Sequence, residues 1–231
     1  MTSAIEANTL NPSVNGTHHR AAAPSGPAPA SPMYHGAKRV MDIVGAAVGL
    51  VGAAPILGAA ALAIKLDDGG PIVHRRRVLG VGGREFDAFK LRTMRVDADA
   101  WLARHPELMA EYQRNIKLHD DPRITRVGKL LRKLSIDELP QLANVLRGEM
   151  SLVGPRPSLP SEVEVMDSDT LRRLAVKPGI TGLTQVSGRS DLSWDEASAL
   201  DMYYADNWSL SGDCAILIRT IKAVVGAKGA Y

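Results

Sequence analysis

The chain has 231 residues, of which 45% are hydrophobic and 23% charged, and its formal net charge is +3. These proportions exclude a wholly disordered or fibrous protein and predict one folded domain. The single cysteine, Cys214, excludes an internal disulfide and favours a reducing compartment. The excess of basic residues indicates an anionic partner, and a membrane surface, a nucleotide and a nucleic acid all stay open.

The N-terminal residues 1–33 contain no periodic apolar pattern, and the stretch 21–32 is almost entirely Ala, Pro, Ser and Gly. Such a composition buries too little surface to offset the entropy cost of ordering. We therefore expect a disordered tail, and we expect no signal peptide because an apolar core is missing from the first thirty residues.

An uncharged segment follows at residues 43–64. It is long enough to cross a bilayer as a helix, since roughly 20 apolar residues suffice. Pro55 lies at its centre, and basic residues flank both ends, so the charge bias gives no clear orientation. Two alternatives stay open: a spanning helix with a proline kink, and a helix that breaks at Ala54 and Pro55 and returns to the same side.

Shorter elements are predicted after this segment. Two mixed runs at 71–78 and 84–91, separated by glycines, predict a β-hairpin. The segment 97–117 has helical spacing, which Pro106 divides into two shorter helices. Further helices are predicted at 161–174, 194–208 and 210–225.

The segment 123–134 alternates apolar and basic residues at helical spacing and contains no acidic residue. This pattern predicts a helix in the lipid headgroup plane, with its apolar stripe in the acyl boundary. A surface helix packed on its own domain and a helix that contacts nucleic-acid phosphates are the alternatives. The basic residues are Arg123, Arg126, Lys129, Arg132 and Lys133.

Two adjacent acids, Asp137 and Glu138, follow this basic helix at the start of another predicted helix. A structural explanation is available, because Ser135 and Glu138 have the spacing of a capping box. The functional alternative is that basic neighbours keep Asp137 ionised, so that it can attack phosphorus while Glu138 holds Mg²⁺.

Positive side chains that suit phosphate binding occur in three places. Lys90 and Arg92 follow the hairpin, Arg156 stands between two prolines, and Arg189 lies in a glycine-rich loop. A stiff backbone suits a phosphate clamp, although a rigid turn with a solvated arginine explains the same pattern. The glycines at 178–188 either let backbone amides approach phosphate or turn the chain.

Taken together, the motifs between Lys38 and Tyr231 resemble the bacterial sugar transferase family, the monotopic polyprenyl-phosphate phosphoglycosyl transferases. The short chain looks most like the minimal exopolysaccharide-initiating galactose-phosphate transferases of that family. The motifs are Lys38-Arg39-x-x-Asp42, Lys90-x-Arg92-Thr93-Met94, Asp121-Pro122-Arg123-Ile124-Thr125, Ser135-x-Asp137-Glu138-Leu139-Pro140-Gln141, Met150 to Pro157 and Pro178 to Gly182.

The resemblance implies an α+β, mostly helical, monotopic membrane protein with a small hairpin and interfacial amphipathic helices. The tail would be 1–33, a re-entrant helix-break-helix would cover 34–66 with its break at Ala54 and Pro55, and a catalytic domain would cover 67–231. That domain would lie on the cytoplasmic face of the bacterial inner membrane. Arg126, Lys129, Arg132 and Lys133 would then form the interfacial helix.

By the mechanism of that family, Asp137 would attack the β-phosphate of a UDP-sugar, expel UMP and form a phosphosugar-aspartyl intermediate that undecaprenyl phosphate attacks. Glu138, with Asp137, would bind Mg²⁺, and the product would start an exopolysaccharide or O-antigen repeat unit. The implied partners are a UDP-sugar, undecaprenyl phosphate and membrane lipids, with a possible homodimer and no nucleic acid. The implied phosphate contacts are Arg156, Lys90, Arg92 and Arg189.

Two departures and two other classes of protein bear on this interpretation. Ala54 stands where many relatives have serine, and Val78 stands where the family often has arginine. A catalytically inactive membrane-tethered scaffold is the main alternative, but it should have lost one of the two acids. A nucleic-acid-binding protein is disfavoured because no aromatic residues interleave with the basic runs.

Overall fold

The computed structural model describes residues 32–115, 118, 120–163, 166–188 and 191–226. The predicted disordered tail therefore lies outside the described residues, apart from the two at its C-terminal end. Arg189 also lies outside them. The tail and the place of Arg189 stay predictions.

The longest element is α1, a 37-residue helix at Pro32–Asp68. It is long and apolar enough to cross a membrane, and only 17% of its most apolar 18-residue stretch is buried. The helix continues through Ala54 and Pro55, where the resemblance implies two helices separated by a break. The re-entrant path of α1 stays a prediction.

The predicted hairpin is confirmed by two antiparallel strands, β1 at Val73–Leu79 and β2 at Glu85–Leu91. The division of the next segment at Pro106 is also confirmed, as α2 at Ala98–Ala103 and α3 at Pro106–Asn115. The basic helix follows as α4, Arg126–Lys133.

The two acids lie in a 3₁₀ helix at Ile136–Gln141, which leads directly into α5 at Leu142–Arg147. Two three-residue strands in the C-terminal part of the chain pair in parallel. They are β3 at Ser151–Val153 and β4 at Gly179–Thr181. No sequence pattern predicted this pair.

The predicted helix at 161–174 is wrong, because that stretch instead contains a one-turn α6 at Pro160–Val163 and a 3₁₀ helix at Thr170–Ala175. The two last predicted helices are confirmed. The remaining helices are α7 at Leu183–Ser187, α8 at Trp194–Asn207 and α9 at Leu210–Gly226.

One stripe of α1 packs on the rest of the chain. Its buried residues recur at intervals of four and seven, which places them on one helix face. Gly45 and Gly49 lie beside that stripe and leave room for the side chains of Leu152 and Leu142 to approach the helix backbone. The buried stripe consists of Asp42, Ala46, Ala53, Ala60 and Ile64.

Polar contacts fasten both ends of α1 to the same domain. Near the N-terminal end, Lys38 Nζ donates to Asp213 Oδ2 of α9 at 2.6 Å, and Asp42 Oδ1 accepts from the Leu152 amide of β3 at 2.9 Å. At the C-terminal end, Asp68 forms a two-pronged ion pair with Arg92. The helix therefore lies along the domain and does not project from it.

Candidate active site

The hairpin presents one face that changes character along its length. Near the turn this face carries Val78 and Phe86, a cross-strand pair buried in the core. At the open end the register pairs His74 with Lys90 on the same face. The face is thus apolar where it packs and cationic where it emerges from the core.

Asp137 and Glu138 are brought to this cationic end by a sharp turn. Ser135 adopts a left-handed conformation with φ of 55° and redirects the chain from α4 into the 3₁₀ helix. Because N-cap residues normally have extended dihedral angles, the predicted capping box fails here, and the Ser135 side chain makes no cap hydrogen bond. The turn therefore orients the two acids toward the cationic end of the hairpin.

The orientation of α4 is fixed by close packing. A Cβ on Gly128 would lie 2.0 Å from the Thr93 carbonyl oxygen, so only glycine lets the helix backbone approach the end of β2. Thr125 caps the helix, its Oγ1 accepting from the Gly128 amide at 2.9 Å. These contacts hold the helix that precedes the two acids.

Lys90 and Glu138 form the contact that joins the hairpin to the acids. Lys90 Nζ lies 2.7 Å from Glu138 Oε1, and the two side chains remain 25% and 37% exposed. A pair this accessible can open for a ligand at small cost, because exposed ion pairs contribute about 1 kcal/mol or less. Lys90 therefore lies at the acids, and its predicted contact with a substrate phosphate stays a prediction.

Asp137 is the buried member of the pair, with only 8% of its surface exposed. Burial and the neighbouring Glu138 raise the pKa of its carboxyl to about 6, against the opposing effect of Lys90 and Arg132. Desolvation of the carboxyl thus outweighs the effect of its basic neighbours on the pKa, and the role of Asp137 as the nucleophile stays a prediction. One pH unit above that pKa, at about pH 7, the ratio of ionised to protonated carboxyl is about ten to one.

Arg132 differs from the rest of the predicted interfacial row. It is half-buried, and its Nε donates to Thr93 Oγ1 at 2.8 Å, so it faces inward next to Asp137. Arg123, also counted in the basic pattern, is buried in a 2.6 Å ion pair with Asp121. The outward basic residues are Arg126, Lys129 and Lys133.

The apolar residues of α4 also divide between two environments. Val127 and Leu131 pack with Ala60 and Ile64 of α1. Leu130 and Leu134 are 57% and 40% exposed. The helix therefore docks on its own domain and still presents an apolar and basic surface, and its place in the lipid headgroup plane stays a prediction.

The other predicted phosphate contacts are placed differently. Arg92 is buried, and its guanidinium donates to Asp68 and to the carbonyl oxygens of Pro71 and Met94, so it fastens α1 to the hairpin. Arg156 is exposed near Ser158, whose carbonyl accepts from Leu79 at the turn end of the hairpin. That point is five residues, roughly 17 Å, along the strand from His74, the partner of Lys90.

The glycine-rich motifs turn out to be packing sites. A Cβ on Gly179 would lie 2.1 Å from the Gly154 amide nitrogen, and one on Gly182 would lie 2.2 Å from the Gly154 carbonyl oxygen. These glycines let β3, β4 and the following loop meet backbone to backbone. Of the two interpretations of this glycine-rich stretch, the structural one fits the described residues.

Comparison with known proteins places this chain in a family. The sequence model described as bacterial sugar transferase matches residues 33–227, nearly all of the chain after the tail. The chain belongs to the bacterial sugar transferase family and is therefore an enzyme of the sugar transferase class.

Among its relatives is the exopolysaccharide production protein ExoY of Rhizobium meliloti (strain 1021), 43% identical over 199 residues, which cover 84% of this chain and 88% of the relative. The undecaprenyl-phosphate galactose phosphotransferase of Salmonella typhimurium is 44% identical over 84% of this chain but only 41% of its own length. The UDP-glucose:undecaprenyl-phosphate glucose-1-phosphate transferase of Caulobacter vibrioides is 43% identical over 84% of this chain and 72% of its own length.

Proposed function

We propose that this protein transfers a hexose-1-phosphate from a UDP-sugar to undecaprenyl phosphate and releases UMP. One observation carries the proposal: a buried carboxylate, Asp137, lies beside Lys90 and Arg132 at the edge of a helix that presents exposed leucines and basic residues. A nucleophile at such an edge can meet both a soluble nucleotide sugar and a lipid phosphate. The names of the relatives support the same two substrates.

The reaction has two displacement steps. A carboxylate oxygen of Asp137 attacks the β-phosphorus of the donor, the bond to the α-phosphate oxygen breaks, and the electron pair leaves with UMP. An oxygen of the lipid phosphate then attacks the same phosphorus, and the Asp137 carboxylate leaves. Lys90 and Arg132 offset the charge that accumulates on the phosphate oxygens.

The two adjacent carboxyl groups also fit a divalent cation. Their donor chemistry suits Mg²⁺, which prefers one or two carboxylates together with substrate phosphates and waters. Burial and the neighbouring Glu138 raise the pKa of Asp137, and a bound cation would oppose both effects by favouring the charged carboxylate. Glu138 and Asp137 would hold the ion, and bound Mg²⁺ would reduce the repulsion between the donor diphosphate and the nucleophile.

The test is UMP release by the purified protein in nanodiscs, with a panel of UDP-sugars, Mg²⁺ and undecaprenyl phosphate. We expect lipid-dependent UMP from one donor, loss of that activity in Asp137→Asn, and reversible loss with a chelator. Asp120→Asn is the matched control, since Asp120 is an exposed aspartate in the loop before α4. Near wild-type turnover by Asp137→Asn would contradict the nucleophile assignment, and no UMP from any donor would favour the inactive scaffold.

A further inference from the structure

Three consecutive arginines lie in β1, and their side chains alternate between the two faces of the hairpin. Arg75 and Arg77 share one face. Arg75 lies over the Phe89 ring, 5.9 Å from its centre, and Arg77 Nε lies 3.4 Å from Asp87 Oδ1. Both outer arginines therefore have partners on β2.

Arg76 points to the opposite face, the one that carries Lys90. The register pairs Arg76 with the buried Ala88 and places it two residues from His74, which is opposite Lys90. Burial, with a smaller effect of the Arg76 charge, lowers the pKa of both His74 and Arg132, which agrees with a guanidinium on this face of the hairpin.

Arg76 is half-buried, and within the described parts of the chain no hydrogen bond or ion pair engages its guanidinium. The other arginines around it all have partners: Arg92 binds Asp68, Arg132 binds Thr93, and Arg77 binds Asp87. A guanidinium held near two other cations without an anion of its own costs free energy. A ligand with negative charge between these cations would offset that cost.

We infer that Arg76 binds a phosphate group of a substrate, together with Lys90 and Arg132, beside Asp137. This inference rests on the proposed function and adds a residue that neither the motifs nor the predicted phosphate contacts contain. Two sources supply the same chemistry at this place, namely the diphosphate of the donor and the monophosphate of the lipid. A guanidinium suits both, because it can donate two parallel hydrogen bonds to a phosphate.

The test compares Arg76→Gln with Arg75→Gln and Arg77→Gln, which remove the same charge from neighbouring positions on the other face. The KM for the UDP-sugar is measured at saturating lipid, and the KM for undecaprenyl phosphate at saturating donor. Removing a charged hydrogen-bond partner of a phosphate should raise one KM roughly 10- to 100-fold. The substrate whose KM rises is the one whose phosphate Arg76 binds. Both KM values of the two control variants should stay within about two-fold of wild type.

Arg76→Lys separates binding from folding, because it keeps the charge and should restore part of the lost affinity. An equal loss of melting temperature in both Arg76 variants would overturn the inference, since it would assign the side chain to stability. Unchanged KM values in Arg76→Gln, or equal changes in Arg75→Gln, would overturn it too.

Binding of UDP, measured by calorimetry, needs no turnover and distinguishes failure of the proposed function from failure of the role assigned to Arg76. A wild type that neither releases UMP nor binds UDP would contradict the proposed function, and this inference with it. An active wild type whose Arg76→Gln variant matches the controls would contradict the inference alone.

Discussion

Asp137 combines two properties that oppose each other. The proposed nucleophile must be ionised, yet this carboxyl is buried next to a second acid, and its pKa is raised to about 6. At neutral pH the folded protein therefore holds a charge that it would be more stable without. Burial of this kind is common where a site must exclude water and meet a charged ligand.

Asp137→Asn should make the protein more stable at neutral pH. Because the pKa of Asp137 is higher in the folded than in the unfolded chain, its contribution to stability is full below about pH 4 and is lost as the pH rises through 6. A shift of about two units corresponds to about 2–3 kcal/mol, which the neutral amide should recover. Thermal melts in detergent at pH 7.5 and pH 4.5 measure this difference.

The gain in melting temperature should be larger at pH 7.5 than at pH 4.5, where the wild-type carboxyl is mostly protonated. Asp120→Asn again serves as the control, since the exposed Asp120 should show no such gain. An Asp137→Asn variant that melts below wild type at pH 7.5 would mean that Lys90 and Arg132 outweigh burial.

At the scale of elements, those predicted correctly have a periodic sequence pattern, whereas the strand pair that depends on close backbone approach was missed. The hairpin, α8 and α9 follow from alternation and helical spacing, which are local properties of the chain. The pair β3 and β4 has three residues per strand, too few for a periodic signal, and its partners lie about 28 residues apart. The only sequence trace of that pair is the glycine in each flanking motif.

The candidate site shows the same difference between features visible in the local sequence and features that depend on packing. The two acids and Lys90 are visible as motifs, and the structure brings them together. The roles of Arg92 and Arg132 depend on which side of an element faces the core, and composition alone does not give that. The alternation of side chains along a strand could have singled out Arg76 from the sequence, because in the hairpin it places Arg76 on the same face as Lys90.

Gly179→Ala should destabilise the fold strongly. Its Cβ would lie 2.1 Å from the Gly154 amide nitrogen and 2.4 Å from the Thr181 carbonyl oxygen, and both atoms belong to the backbone. Overpacking costs about 1–3 kcal/mol where side chains can yield, and backbone yields less, so we expect about 3 kcal/mol or more. Denaturation in detergent, followed by circular dichroism, measures the loss.

Gly58→Ala is the matched control, because nothing lies within 4 Å of the Cβ that it would introduce in α1. Alanine in a helix interior is favoured over glycine by up to about 1 kcal/mol, so this variant should be as stable as wild type or more so. Equal losses in both variants would mean that the β3 and β4 contact contributes little to the fold.

For the whole molecule, the decisive feature is the path of α1 along the domain. Lys38 and Asp68, which fasten its two ends, stand 30 residues apart, about 45 Å in a straight helix. Both contacts reach the one domain that carries the candidate site, while the outer face of the helix exposes large apolar residues such as Val44, Val48 and Val51. An apolar ridge fastened at both ends suits a helix that enters one leaflet, provided the domain stays in water.

Labels at both ends of α1 should therefore be accessible from the same side of the membrane. The experiment uses Gly36→Cys and, separately, Asp67→Cys, both exposed positions, in a Cys214→Ser background that removes the exposed native thiol. Asp67 is chosen because a label at Asp68 would disrupt its ion pair with Arg92. A membrane-impermeant maleimide should label both variants in inside-out vesicles and neither in intact spheroplasts.

Labelling of the two positions from opposite sides would mean that α1 spans the bilayer. The ion pairs of Lys38 and Asp68 could then coexist only if the domain packed along α1 also entered the hydrocarbon. That domain includes α4, which packs on α1 and exposes the charged residues Arg126 and Lys129. Placing charges there costs several kcal/mol each, more than an ion pair at the end of a helix returns. A spanning helix would therefore have to release one of its two ends from the domain, and the free end would show as a new protease-sensitive site beside it.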